Sequence, residues 1–411
     1  MRARALEAIG RTRWRPLIDR VRVAFPAPPP EVTEALVDVV SRDPVFVHAL
    51  ARGVTVRRWF VEVPRVAPAR WEVPAIPTVG ALARWLGLAV DDLAWLADPR
   101  GLERHTTTTG VRNHHYRWIP KRAGGARLLE APKPRLKEAQ RRVLHGILDA
   151  IPPHPAVHGF RRGRSALSCA TPHVGAAVVL RLDLEDFFAS VSPAPVLGVF
   201  RAAGYPWEVA RTLAALCTNR TPRAVLAARP DGGDPASNWR QARRLATPHL
   251  PSGAPTSPAI ANLCAWGLDV RLAAAAASAG ATYTRYADDL AFSGDGSFRR
   301  RAPRFAALVA AIALEEGFRV NHRKTRVAGR ATRQVIAGVV VNDRPAFPRD
   351  RWDAIRAMLH NCVVHGPSTQ DRVGGRDFRA HVLGLVAAVQ AIDPKRGGRL
   401  AELAARIDWS R

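Results

Sequence analysis

Two apolar, strand-like segments end in carboxylates, and that pairing limits the folds open to this 411-residue chain more than any other feature. Residues 178–182 form an apolar stretch, interrupted by Arg181, that closes on Asp183. Residues 282–286 and 290–293 flank Ala287-Asp288-Asp289, which predicts a tight β-hairpin with acids at its tip. Ionised carboxylates at the end of a low-dielectric sheet carry a desolvation penalty, and like charges together raise one another's pKa. Divalent cations remove both penalties, and Mg²⁺ in particular takes oxygen ligands while keeping water and substrate phosphates in its shell. Two such ions about 3.5–4 Å apart activate an attacking oxygen and stabilise a leaving oxygen in phosphoryl transfer. An Asp-Asp pair taken alone reads as a turn or a helix cap, so its neighbours must decide.

Charge points to a polyanionic partner. Sixty-two Lys and Arg against 35 Asp and Glu leave a net charge of +27. Counterions released from a nucleic acid would give such a chain a large, salt-sensitive binding term. Charge alone does not separate DNA from RNA, or an enzyme from a passive binder. Cys169, Cys217, Cys264 and Cys362 lie far apart with no CxxC pairing, which predicts buried free thiols rather than a zinc site or a disulfide framework. No apolar run reaches the roughly 18 residues that span a bilayer. The arginines at positions 2, 4, 11, 13 and 15 are followed by no signal-type apolar core, so a cytoplasmic address without membrane association is expected.

The alternation of helices with antiparallel hairpins predicts an α+β body rather than a doubly wound sheet. No GxGxxG opening and no GxxxxGK[ST] loop is present, which argues against dinucleotide and P-loop folds. Residues 1–110 read as a mostly helical extension. In it, two short helices around Gly87, over 81–86 and 91–96, resemble half of a helix-turn-helix unit, with Thr78 capping the first and Asp91 or Asp92 the second. Residues 114–120 and 126–131 predict a basic hairpin with a Gly124-Gly125 turn, followed by an amphipathic helix over 135–151. The polar stretch 221–245 reads as a long loop or insertion, 257–276 as one long helix, and 335–341 as a strand broken by Gly338. Helices over 351–364 and 380–392 belong to a final basic helical unit.

Around the carboxylates the sequence resembles the reverse-transcriptase family, and within it the bacterial retron type. Tyr286-Ala287-Asp288-Asp289 is a form of the YxDD box. Arg181-Leu182-Asp183-Leu184-Glu185-Asp186-Phe187-Phe188 is similar to the palm strand that supplies the first metal ligand, and Pro251-Ser252-Gly253-Ala254-Pro255-Thr256-Ser257-Pro258 to the [LP]QG[AT]xxSP turn. The resemblance covers roughly residues 112 to 400. It implies a right-hand polymerase with fingers (111–177), palm (178–345, with the insertion near 221–245) and helical thumb (346–411).

By position, the resemblance implies that Asp183, Asp288 and Asp289 hold two Mg²⁺ ions, replaceable by Mn²⁺, with the carbonyl of Leu184 completing a shell. Phe188 corresponds to the aromatic gate that excludes a ribose 2′-hydroxyl, while one of Phe187 and Phe188 belongs to the core. Gly253 and Ser252 would lie beneath the templating base. Lys121 and Arg127 correspond to basic residues that close on the incoming triphosphate, and Lys324 to a lysine near the pyrophosphate leaving group. Glu185 and Asp186 are extra acids expected to pair with nearby arginines. His158-Gly159-Phe160 and Gly163-Arg164-Ser165 resemble the segment after the fingers in retron and intron enzymes. The chain departs from the pattern at Ser252 (commonly Gln), Ala337 (commonly Thr) and Cys169 (commonly Asn, four residues before His173). His173 itself is expected to contact RNA or the core. No nuclease, maturase, protease or integrase pattern follows the thumb-like helices. The implied partners are a structured noncoding RNA that is both template and source of the priming 2′-hydroxyl, deoxynucleoside triphosphates, the RNA–DNA hybrid product and an effector protein in antiphage defence. A reverse transcriptase of another class, diversity-generating or defence-associated, is the alternative, followed by an inactive RNA-binding scaffold.

Overall fold

A computed structural model describes residues 15–25, 34–53, 70–99, 101–105, 110–121, 124–371 and 377–410. Its centre is a four-stranded antiparallel sheet. Strands β3 (Val178–Asp183), β4 (Thr282–Tyr286), β5 (Asp289–Gly294) and β6 (Arg326–Gly329) lie in the order β4-β5-β3-β6. Strands β1 (His114–Pro120) and β2 (Ala126–Pro132) form a separate hairpin that pairs His114 with Pro132 and Pro120 with Ala126. Beyond the paired residues Lys121 N–H donates to Gly125 O at 2.9 Å.

Strand periodicity positions the acids. Along β3, Val178, Leu180 and Leu182 enter the main core, while Val179, Arg181 and Asp183 take the opposite face. The register pairs Asp183 with Asp289 and Val179 with Ser293, so the acids of two strands share the face away from the main core. Helices Trp266–Ser278 and Gly296–Glu315 back that core, with Phe292, Phe298, Phe305 and Val309 between them and the sheet. Pro303 sits inside the second of these helices, which starts well before the proline and ends ahead of Gly317 at φ +84°.

Several expected elements take a different form. The 257–276 segment is two helices, Ser257–Cys264 and Trp266–Ser278, bent by 52°. Residues 335–341 are not one strand: β7 (Val335–Ile336) and β8 (Val339–Val340) form a hairpin turned at Ala337 (φ +47°) and Gly338 (φ +84°). The polar 221–245 stretch is not a loop but holds helices Arg223–Ala227 and Pro235–Leu245, the latter capped by Asp234 accepting from Ser237 N–H at 2.9 Å. The first helix around Gly87, Val79–Trp85, is capped by Thr78 as expected. The second, Val90–Ala97, has Ala89 at its N-cap and no side-chain cap, because Asp91 and Asp92 lie inside its first turn.

Both helices pack into the main core through Leu82, Leu86, Leu93 and Leu96. Arg142 donates to Leu86 O at 2.8 Å, and Trp85 covers Gly146. Helices Arg349–His365, Phe378–Ile392 and Pro394–Ala405 enclose a second core around Leu359, Val382, Val389 and Leu400. Cys169, Cys217 and Cys362 are buried free thiols and Cys264 is a half-buried one. Among the described residues no single helix is long and apolar enough to cross a membrane.

Candidate active site

The hairpin β4–β5 turns at Ala287 and Asp288, with Tyr286 paired to Asp289. Ala287 takes φ +56°, and Gly159 lies so close beneath it that a Cβ there would meet Ala287 N at 2.6 Å. The tip is held from below by Arg285, which has no exposed surface. Its guanidinium donates to Asp269 at 2.8 and 2.7 Å, to Asn262 Oδ1 at 3.0 Å and to Ala287 O at 3.0 Å. Neither Arg285 nor Asp269 stood out in the sequence. The available signal was a charged residue on the same face of the strand as Tyr283.

Asp183 and Asp289 meet across β3 and β5, and the backbone ties their surroundings together. Leu184 N–H donates to Asp288 O at 2.9 Å, and Asn321 N–H to Asp183 O at 2.7 Å. A cleft of about 360 Å³ is lined by Arg181, Leu182, Asp183, Asp289, Lys324 and Arg326. In it Lys324 Nζ lies 2.8 Å from Asp183 Oδ1, and Arg181 Nη2 lies 3.3 Å from Asp289 Oδ1. Burial raises the Asp183 carboxyl above its ordinary value, only partly offset by Lys324. Burial, then the negative charges of Asp183 and Asp289, push Asp288 up to about 6.

Carboxylates and a strand-end carbonyl form an all-oxygen donor set, suited to a hard dication, and a dication would relieve the mutual repulsion that raises Asp288. Among the described residues no three His, Cys, Asp or Glu side chains are already closed around one point. Lys324 and Arg181 stand against the two outer carboxylates instead.

The other expected residues are distributed around this centre. Phe187 is core, 5.5 Å from the ring of Phe318 and under the Arg285 guanidinium, whereas Phe188 is half-buried and 6.2 Å from Phe160. Glu185 and Asp186 do pair with arginines: Arg240 lies 2.9 Å from Glu185, and Arg244 3.2 Å from Asp186. Lys121 Nζ is 4.0 Å from Asp186 Oδ1. Arg127 is exposed on β2. Gly253 takes φ +128° against Leu129, Glu130 and Ala131 of β2, and Ser252 O accepts from Glu130 N–H at 2.8 Å. Lys121, Arg127, Ser252 and Gly253 therefore do not line the cleft; they belong to the hairpin and turn beside it. His173 is a core residue with no exposure, bonded to Ser293 at 2.7 Å and Thr284 at 2.8 Å.

An antiparallel sheet backed by helices, with a strand-end acid facing an acid-tipped hairpin, is the architecture of a polymerase palm. The sequence model of the family described as reverse transcriptase (RNA-dependent DNA polymerase) matches residues 119–340. The chain belongs to the reverse-transcriptase family, among its bacterial retron members. It is 42% identical over 338 residues to the retron Mx65 reverse transcriptase of Myxococcus xanthus, covering 81% of this chain and 72% of that protein. It is 40% identical over 332 residues to the retron Mx162 reverse transcriptase of the same organism, 77% of this chain and 64% of that one. With the retron Ec86 reverse transcriptase of Escherichia coli it shares 30% identity over 283 residues, 69% and 77% of the two chains.

Proposed function

We propose that this protein is the RNA-directed DNA polymerase of a retron, extending a DNA strand on a cognate structured noncoding RNA that also supplies the priming 2′-hydroxyl. The observation that carries this reading is the pairing of Asp183 with Asp289 at the ends of β3 and β5, with Asp288 in the adjoining turn near enough for both charges to raise its carboxyl. Asp183, Asp288, Asp289 and the carbonyl of Leu184 would hold two Mg²⁺ ions, with Mn²⁺ as a substitute. When bound, these ions activate the attacking hydroxyl and neutralise charge on the leaving pyrophosphate.

The chain's own groups do the rest. Lys324, now on Asp183, offers its ammonium to the pyrophosphate as substrate enters. Arg127 and Lys121 take the triphosphate from the hairpin side. Phe188 lies beneath the incoming sugar, where its ring excludes a 2′-hydroxyl. Gly253 lets backbone approach the templating base, and Ser252 reaches the nascent pair through water where a longer Gln side chain would touch it directly. The insertion helices join fingers to palm, and the three C-terminal helices act as thumb. The retron reading brings with it an effector protein and a part in antiphage defence.

The direct test supplies the purified protein with RNA transcribed from the DNA flanking its gene, deoxynucleotides and Mg²⁺. A branched RNA–DNA product is expected, abolished by chelation. Extension of generic primed templates without branching on the flanking RNA would remove the retron assignment and keep the polymerase.

A further inference from the structure

Glu130 is an acid where the strand pattern calls for an apolar side chain. It lies on the inward face of β2 with Ala126 and Leu128, and it is 1% exposed. A buried carboxylate is costly unless its oxygens are filled by donors. Oε1 accepts from Asn219 Nδ2 at 2.9 Å and Thr221 Oγ1 at 2.7 Å, and Oε2 faces His249 Nε2 at 2.7 Å. His249 Nδ1 lies 2.7 Å from Thr247 O, which can only accept, so Nδ1 carries a proton, and with the Glu130 carboxyl held below its ordinary range Nε2 donates a second to Oε2.

These donors come from both legs of the insertion's neck. Asn219 and His249 exchange backbone hydrogen bonds at 2.8 and 2.9 Å, and Thr221 N–H reaches Leu245 O at 3.1 Å. One fingers carboxylate thus closes the base of a segment that returns to the chain just before the 251–258 turn. The same residue's N–H holds Ser252 O, and a Cβ on Gly253 would meet Glu130 O at 3.2 Å. Arg127 stands three residues up the same strand, on the opposite face.

We propose that Glu130 is a positioning residue that fixes the distance between the template-side turn at Ser252-Gly253 and the triphosphate clamp on the β1–β2 hairpin. This rests on the polymerase reading above. With Glu130 in place the hairpin base, the neck and the turn move as one body. Without it the base pair under construction and the triphosphate are held by parts that drift relative to each other, while the carboxylates that do chemistry are untouched. The signature is a weakened KM for deoxynucleotides and more mispairing, with kcat largely kept, because misplacement acts on the approach of substrate rather than on the metal site.

The substitutions separate geometry from charge. Glu130→Gln can keep every bond: its carbonyl accepts from Asn219 and Thr221, and its amide donates to Nε2 of a neutral His249 that still donates from Nδ1 to Thr247. Glu130→Leu keeps the strand and orphans three donors. Steady-state incorporation on a primed RNA template should show KM for deoxynucleotides raised about tenfold or more in Glu130→Leu, with kcat within about threefold, and Glu130→Gln near the unaltered enzyme. Where circular dichroism shows Glu130→Leu unfolded, Thr221→Val, which removes one donor, should raise KM in the same direction. A folded Glu130→Leu with unchanged KM overturns the proposal, as does Thr221→Val with unchanged KM when it stands in. Equal defects in Glu130→Gln and Glu130→Leu also overturn it. Failure of the unaltered protein to incorporate deoxynucleotides would instead remove the polymerase reading itself.

Discussion

A guanidinium buried without water needs an acceptor for nearly every N–H, and Arg285 finds them on Asp269, Asn262 and the carbonyl of Ala287 at the hairpin tip. Tyr283 adds a hydroxyl to the same Asp269 at 2.8 Å. Removing one partner of such a pair strands the other charge in the core, at a cost of about 3–5 kcal/mol. Asp269→Ala should therefore lower the denaturant midpoint sharply, and a midpoint unchanged from the parent would show that the pair does not hold the hairpin. Phe188 tests a different property of a single side chain. Phe188→Ala should raise ribonucleotide use relative to deoxynucleotide use about tenfold or more, since a steric clash is removed rather than a contact added; an unchanged ratio would return Phe188 to the core with Phe187. At this scale the sequence was readable where a residue stood against its surroundings. Asp183, Asp288 and Asp289 were conspicuous because acids ending apolar strands are costly. Arg285 and Glu130 carry the same cost, but their partners lie far off in the chain and nothing local announces them.

Elements were legible where periodicity was strong and misread where charge, not apolar spacing, holds them. β3 and β5 are short apolar runs bounded by acids, and with β4 they fall where the sequence places them. Helix Pro235–Leu245 carries little apolar surface; it is held by Arg240 and Arg244 on Glu185 and Asp186, contacts that exist only after folding. The 257–276 span reads as one helix because apolar spacing continues across Ala265, whereas the structure breaks there with a 52° bend. The joint between hairpin and palm should show its chemistry in pH. Burial works to raise Glu130, but His249 outweighs it and holds the carboxyl below its ordinary 4.5. That contribution is present above about pH 4.5 and is lost as pH falls through the lowered value. For His249 burial opposes, and Glu130 prevails to hold the imidazolium above its ordinary 6.5. Its contribution is full below about pH 6.5 and fades as pH rises through the raised value. Thermal melts of the parent and His249→Gln should therefore show a stability gap that is largest near pH 6 and narrows toward pH 9. A gap independent of pH over that range would mean that the pair is not ionised.

At the scale of the molecule, charge and architecture agree. A net +27 surrounds a sheet whose cleft sets Asp183 and Asp289 beside Arg181, Lys324 and Arg326, so the body of the protein attracts polyanions. RNA affinity should fall steeply with salt, by about three to five orders of magnitude between 50 and 200 mM if six to ten phosphates are contacted. A shallow slope in a filter-binding series would mean that few of the arginines meet RNA. The α+β class followed from the alternation of helices with antiparallel hairpins. The merging of residues 76–97 into the main core did not, because the helices on either side of Gly87 show their apolar faces without showing what those faces meet. The central claim is that Asp288 serves phosphoryl transfer and not RNA binding. The most direct measurement is deoxynucleotide incorporation on an RNA template by Asp288→Asn, with RNA affinity measured on the same preparation. Incorporation should be abolished while affinity stays within about twofold, since the change removes one of many charges that govern binding. Retained incorporation by Asp288→Asn would contradict the account.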